Sequence, residues 1–332
     1  MSPRVTVLMP IYNAAPHLLE AVNSILTGSF ADLELLAIND GSTDESEEIL
    51  GSIADPRLRL VRNPKNVGVV ATLNRGLDLA EGDFIARMDA DDVSMPDRLA
   101  RQVAFMDANT EIGLSGMWAR TFGARPERSI RTPLSSTEIH VGLFAFNPLC
   151  HPTAMLRRDL FAAHGLRYAE DARHCEDLDL WMRASNHFAI SNLPVIGLRY
   201  RVHASQVTNR FAMEQQETLA GLRRRQLLRL VSDATEADIQ LHLKALDVMR
   251  QLTHDDLVSI GEWLEHLEES NRHLDRYDAS AFHSFLAQRW LNASHRCNPR
   301  NIKVWRTWRR SSLATAGMAS RLWLFGKIAL CR

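Results

Sequence analysis

Along the first hundred residues, short apolar runs alternate with longer stretches of helical period, the pattern that builds a parallel sheet with crossover helices. Val5 to Met9 predicts a first strand, and Pro16, suited to a first helical turn, opens the helix after it. Leu33 to Ile38 predicts the second strand; its helix starts near Ser42-Thr43-Asp44-Glu45, where Ser42 and Glu45 have capping-box spacing. Leu58 to Val61, a helix over Val69 to Ala80 and a strand over Asp83 to Met88 complete a set of βα units. Beyond Asp92 the pattern predicts a helix over Pro96 to Asn109 and a strand over Ile112 to Trp118. Thr121 to Asn147 is richer in Arg, Pro and Ser, which predicts a change of substructure with some mobile loop; a β-like run returns at Ile196 to Val202. From Phe211 onward strand signal almost vanishes, and amphipathic stretches such as Met213 to Val231 and Ala237 to Leu252 predict helices. The expected fold class is therefore α/β: a Rossmann-like, mainly parallel sheet sandwiched by helices, with a helical C-terminal extension.

Right-handed crossovers bring the C-terminal ends of all parallel strands to one edge of a sheet, where ligands bind. Here those ends read Pro10-Ile11-Tyr12-Asn13, Asn39-Asp40-Gly41-Ser42, Asn63-Pro64-Lys65-Asn66-Val67-Gly68 and Asp89-Ala90-Asp91-Asp92, so four polar clusters are expected to face one cleft. Asp89 and Asp91, at i and i+2, offer hard oxygen ligands for Mg²⁺ or Mn²⁺, which bridge a diphosphate; an acidic triplet also suits a solvated turn. Asp40 fits either a binding role or the bend before a helix. Tyr12 is either a packed aromatic or a face for stacking on a base. Lys65 either counters phosphate charge or belongs to a plain connection, in which Gly68 permits close backbone approach.

Composition narrows the picture without changing it. A chain of 332 residues with 45% hydrophobic content has room for one large α/β domain and an appendage. With 39 Lys and Arg against 40 Asp and Glu, no global field recruits nucleic acid. Cys150, Cys175, Cys297 and Cys331 lack the paired spacing of a zinc or redox motif, which points to a reduced, cytoplasmic setting. The expectation is that no signal peptide or membrane span is present, since no run reaches ~18 uninterrupted apolar residues.

Over roughly its first 205 residues the chain resembles family 2 glycosyltransferases of the GT-A fold. The matching features are Val7-Leu8-Met9-Pro10-Ile11-Tyr12-Asn13, Ile38-Asn39-Asp40-Gly41-Ser42-Thr43-Asp44, Asn66-Val67-Gly68 with Asn74, and Arg87-Met88-Asp89-Ala90-Asp91-Asp92. Later come Asn147-Pro148 with His151-Pro152, Glu176-Asp177-Leu178-Asp179-Leu180-Trp181, and Tyr200-Arg201-Val202-His203. The resemblance implies an enzyme that moves a sugar from a nucleotide-diphosphate donor, of uridine type first, to an acceptor hydroxyl of a glycan or lipid-linked molecule. It points to Pro10, Tyr12, Asn13, Asp40, Lys65, Asn66, Arg87, Asp89 and Asp91 for the nucleotide, and to Asp89, Asp91 and His203 for a divalent metal. Asn39 stands where relatives often carry an acid, and its contribution stays open. Asp177 matches the general base of an inverting transfer, with Glu176 contacting the acceptor or supporting the site. The same acids, with Asp179, also complement a helix N-terminus, by about 0.3–1 kcal/mol each. His151 and Trp181 fall on the acceptor side; each has packing as its alternative.

The resemblance implies a nucleotide-sugar part over residues 1–115 and an acceptor-side part over 116–210. A helical extension over 211–295 and a basic, Trp-containing tail over 296–332 follow. Arg300, Lys303, Arg306, Arg309, Arg310, Arg321, Lys327 and Arg332 occur with no acid among them, and Trp305, Trp308 and Trp323 are interleaved. Such a segment suits the inner face of an anionic membrane as a peripheral contact, or else a helix that packs its tryptophans on the protein. Two rivals remain: a nucleotidyltransferase with similar metal-binding acids, and a non-catalytic scaffold. A dehydrogenase is disfavoured, since no Gly-rich turn follows the first strand.

Overall fold

A computed structural model describes residues 2–203, 211–299 and 301–315. Two compact units emerge, Met1–Thr218 and Leu219–Arg332. In the first, β1 (Val5–Ile11), β2 (Leu33–Asn39), β3 (Leu58–Arg62) and β4 (Phe84–Arg87) alternate with α1 (Ala15–Leu26), α2 (Ser46–Ser52) and α3 (Val69–Leu79). β1 lies between β2 and β4, β3 flanks β2, and all four run parallel, so their C-terminal ends share one edge. β1 and β2 are almost wholly buried, which is why they read as near-continuous apolar runs.

The sheet extends through β5 (Val93–Ser94), β6 (Ile112–Gly123), β7 (Ser129–Ile130), β8 (Met155–Arg157) and β9 (Ala189–Val202). β8 bridges β4 and β6 as an antiparallel neighbour, while β9 runs parallel to β6 and pairs antiparallel with β5. Helices α4 (Arg98–Ala108), α5 (Ser136–Gly142), α6 (Arg158–Ala163) and α7 (Glu176–Ala184) complete the unit.

Three local expectations are corrected. Ser42 and Glu45 form no capping box: α2 starts at Ser46, and the Ser42 hydroxyl instead accepts from the Asn13 N–H at 3.0 Å. Asp44 takes over, accepting from the Ser46 N–H at 3.1 Å and the Ala15 N–H at 3.0 Å. Between Thr121 and Asn147 the chain holds the end of β6, β7 and α5, the last with a full capping box from Ser135 and Glu138. β9 begins seven residues before Ile196; Pro194 interrupts the apolar pattern, and the register with β6 jumps from Met117↔Leu193 to Trp118↔Ile196, a bulge that absorbs the missing N–H.

From Ala212 onward the described elements are helical: α8 (Ala212–Leu228), α9 (Glu236–Leu246), α10 (His254–Leu274), α11 (Ala279–Arg296) and α12 (Ile302–Arg310). Leu257, Trp263, Phe282, Trp290, Val304 and Trp308 are all buried, and the Trp290 indole donates to the Trp308 carbonyl at 3.1 Å. The packing alternative thus holds for Trp308, whereas Trp323 and its basic neighbours lie outside the described residues. Among the described residues, no helix is long and apolar enough to cross a membrane, and Cys150 is a free thiol.

Gly41 joins two strand ends. Its φ is +69°, and a Cβ there would lie 2.6 Å from the Asn66 backbone nitrogen, so the turn after β2 rests directly on the loop after β3. Gly41→Ala is expected to destabilise the fold by about 1–3 kcal/mol, the usual range for a strained backbone position, read as a lower midpoint in thermal or urea unfolding.

Candidate active site

The ends of β1, β2 and β3 interlock. Asn13, with a left-handed φ of 51°, accepts through Oδ1 from the Thr43 N–H at 2.8 Å. Asp40 is only 4% exposed; its Oδ1 accepts from Asn63 Nδ2 at 2.7 Å and the Val67 N–H at 3.0 Å, and its Oδ2 from the Gly68 N–H at 3.0 Å. Asp40 therefore organises the loop after β3 and retains free acceptor capacity chiefly on Oδ2. Asn39 shapes the same turn: Oδ1 accepts from the Ser42 N–H and Nδ2 donates to Glu47, each at 3.0 Å. Above this scaffold, Tyr12 is 51% exposed, Lys65 and Asn66 are exposed, and Pro10 is half-buried.

At the end of β4 the acids concentrate. Carboxylate oxygens of Asp89, Asp91 and Asp92 all lie within 4.8 Å of one another. Arg87, only 5% exposed, lies beneath them and donates to Asp89 at 2.5 Å, a buried support for that carboxylate. His203, just past β9, places Nε2 2.9 Å from Asp91 Oδ2. Arg201 staples that segment, donating from its backbone to Asp92 Oδ1 at 2.8 Å, from Nε to the Asp91 carbonyl at 2.7 Å, and from Nη2 to Glu20. Asp92 Oδ2 is buried without a partner, as a donor set lacking its cation would be. Clustered carboxylates beside an imidazole fit a Mg²⁺- or Mn²⁺-type ion.

The second carboxylate pair opens α7. Asp177 Oδ1 accepts from the Leu178 N–H at 2.7 Å and Oδ2 from Asn147 Nδ2 at 2.6 Å. His151 comes within 3.8 Å of Asp177 through Nδ1, and its Nε2 meets the Tyr168 hydroxyl at 3.0 Å. Trp181 is fully buried, edge-on to His151 at 5.8 Å between ring centroids, so it packs under the site and offers no platform. Asp179 is buried and pairs with Arg183 at 2.8 Å.

Electrostatics tie the two acid groups together. Burial raises the Asp89 carboxyl above its ordinary range against the pull of Arg87, and the charges of Asp91 and Asp177 raise it further. Burial also raises Asp177, opposed by the Leu178 N–H and the Asn147 amide. Glu176 is pushed up to about 7, by burial and then by the Asp177 charge, and its Oε2 has no partner. His151 is held well below the imidazole range by burial and by Arg87, so it is neutral.

Several members had no assigned role in the sequence. Asn147, Asp92 and Arg201 stand inside quoted motifs, where only a partner across the fold gives them meaning. Tyr168 had no signal; it is held by a reciprocal pair in which Asn74 Nδ2 donates to its carbonyl and its N–H donates to Asn74 Oδ1, both at 2.9 Å.

Glu176 gives a pH prediction. Its folded pKa of about 7 exceeds its ordinary value of 4.5, so the folded state binds the proton more tightly and loses stability as pH rises from 4.5 to 7. Glu176→Gln is expected to match the parent near pH 4.5 and to be more stable at pH 8, by at most about 3 kcal/mol. Paired unfolding curves at the two pH values measure this.

Residues 6–165 match the profile described as "Glycosyl transferase family 2". The amylovoran biosynthesis glycosyltransferase AmsE of Erwinia amylovora is 30% identical over 211 residues, covering 62% of this chain and 79% of that protein. Among solved structures, S. aureus TarS 1–349 in complex with UDP-GlcNAc superposes with a TM-score of 0.60 at 17% identity, covering 92% of each chain. The mannosyltransferase PcManGT from Pyrobaculum calidifontis, in complex with GDP-Man and Mn²⁺, gives a TM-score of 0.54 at 17% identity, covering 99% of this chain and 81% of that one. The strand order, the acid cluster and these likenesses agree with the expected GT-A fold: the chain is a glycosyl-transferring enzyme and belongs to glycosyltransferase family 2.

Proposed function

We propose that this enzyme is a metal-dependent, inverting transferase that moves a sugar from a nucleoside-diphosphate donor, of uridine type first, to a hydroxyl of a glycan or lipid-linked acceptor. The observation that carries this reading is the half-buried Asp177 carboxylate, fixed by hydrogen bonds on both oxygens and close enough to the Asp89–Asp92 cluster to raise Asp89. Residues 1–115 supply the donor half: Tyr12 stacks on the base, Asp40 and Asn13 shape the base pocket with Pro10, and Lys65 and Asn66 approach the phosphates. Residues 116–210 supply the acceptor half, with neutral His151 beside the base. Asp177 takes the proton of the acceptor hydroxyl as its oxygen attacks the anomeric carbon; the bond to the diphosphate oxygen breaks on the opposite face, and one displacement inverts the centre. Glu176 lies against the acceptor side of that base. Asp89, Asp91 and His203 would hold a divalent ion, which when bound offsets the charge on the departing diphosphate. The donors bound by TarS and PcManGT, and Mn²⁺ in the latter, support the ligand classes, and the amylovoran biosynthesis role of AmsE supports cell-surface polysaccharide synthesis.

α12 supports a setting at a membrane surface. Val304 and Trp308 are buried while Lys303, Arg306, Arg309 and Arg310 are exposed, a cationic face suited to the anionic cytoplasmic surface of a membrane carrying lipid-linked acceptors.

Three outcomes are expected. In a panel of UDP- and GDP-sugars with Mg²⁺ or Mn²⁺, turnover releases nucleoside diphosphate and never pyrophosphate. Asp177→Asn lowers kcat by about 10²–10⁴-fold with donor binding retained, whereas Asp91→Ala loses cation-dependent donor binding; equal loss of donor affinity in both variants removes the base assignment. In flotation assays, the full chain binds phosphatidylglycerol vesicles and not phosphatidylcholine vesicles, and changing Lys303, Arg306, Arg309 and Arg310 to Ser abolishes that binding without lowering the unfolding midpoint.

A further inference from the structure

Asn147 lies in the loop after α5, thirty residues from Asp177 in sequence yet 2.6 Å away through its Nδ2. Its other end is committed: Oδ1 accepts from the Leu149 N–H at 3.2 Å. That second bond fixes the sense of the amide, because the Leu149 N–H needs an oxygen and an ionised carboxylate can only accept. The NH₂ group must therefore point at Asp177. With one donor on Oδ1 from Leu178 and one on Oδ2 from Asn147, the carboxylate cannot rotate freely, and each oxygen keeps acceptor capacity for an incoming proton.

The groups facing Asp177 make this contact matter. Glu176 adjoins it on α7, and Asp89 stands at the end of β4; the Asp177 charge raises both of these carboxyls. Arg87 favours that charge from a distance but is committed to Asp89. His151, neutral and 3.8 Å away, and the Tyr168 hydroxyl behind it bring no cation. Asn147 is the one side chain among the described residues whose hydrogen bond reaches the Asp177 carboxylate.

We propose that Asn147 is a positioning residue of the transfer reaction: it fixes the orientation of the Asp177 carboxylate and stabilises its charged form through a direct hydrogen bond. This rests on the reading of Asp177 as the general base. A group that must be ionised to act sets the acid limb of the pH profile, so loss of a donor to its charged form moves that limb to higher pH.

The test follows the ¹³C carboxyl resonance of Asp177, assigned by its loss in Asp177→Asn, through a pH titration of the full chain. Asn147→Ala is expected to raise the titration midpoint by about one to two pH units, the scale of one hydrogen bond to a charged group, and to move the acid limb of kcat/KM the same way. Asn147→Asp keeps the shape and the Leu149 contact but sets a second carboxylate against the first, so it raises the midpoint further; it also serves if the alanine variant fails to fold. A lower melting temperature with an unmoved midpoint would make Asn147 merely structural and overturn the proposal. Undiminished turnover in Asp177→Asn would instead remove the base reading, and the two failures are told apart because the titration needs no substrate.

Discussion

The site depends on keeping many acids close together without neutralising them all. Three carboxylates at the end of β4 lie within 4.8 Å of one another, and at that separation like charges repel by roughly 3 kcal/mol per pair at an effective dielectric near 20. Glu176 and Asp177 add to the same field. Arg87 is the buried cation set against it: burial opposes its charge, yet Asp89, Tyr168 and Glu176 together raise its affinity for the proton. An Asp89 variant would leave Arg87 buried and unpaired, and an Arg87 variant would leave Asp89 facing Asp91 and Asp92 unsupported, so neither side of this pair is independent of the other.

That constraint explains which parts of the molecule were legible in the chain. The parallel strands β1, β2 and β4 are buried, near-continuous apolar runs, β3 is a half-buried edge, and their ends carry the polar clusters, so both fold class and donor-side turns could be read from pattern alone. Residues that act by pairing across the fold could not. Arg87 reads as one more polar residue of the Arg87-Met88-Asp89 run, and only the fold reveals its burial against Asp89. Trp181 shares a helix face with Asp177 in sequence, and only its complete burial decides between platform and packing. β9 was foreshortened because Pro194 breaks the apolar alternation at the point where the sheet accommodates it as a bulge.

The two acid groups come from turns far apart in the chain, and buried polar contacts fix their separation. Arg98, fully buried, donates from Nη2 to the Arg87 carbonyl at 2.8 Å and from Nε to Gln102 at 3.2 Å. Gln102 in turn donates to the Thr153 carbonyl at 2.9 Å, and the Thr153 hydroxyl donates to the Cys150 carbonyl at 2.8 Å, one residue before His151. On the other flank, Arg201 binds the backbone of Asp91 and the side chain of Asp92 just before His203. Each such bond contributes about 0.5–1.5 kcal/mol net, but leaving one of its buried groups unpaired costs about 1–3 kcal/mol, so the cheaper state is the one in which every turn stays in register. An apolar interior would stabilise the unit equally well without specifying the distance between Asp89 and Asp177. A chain of directional bonds specifies it, and a transfer reaction needs that distance held while donor and acceptor come and go.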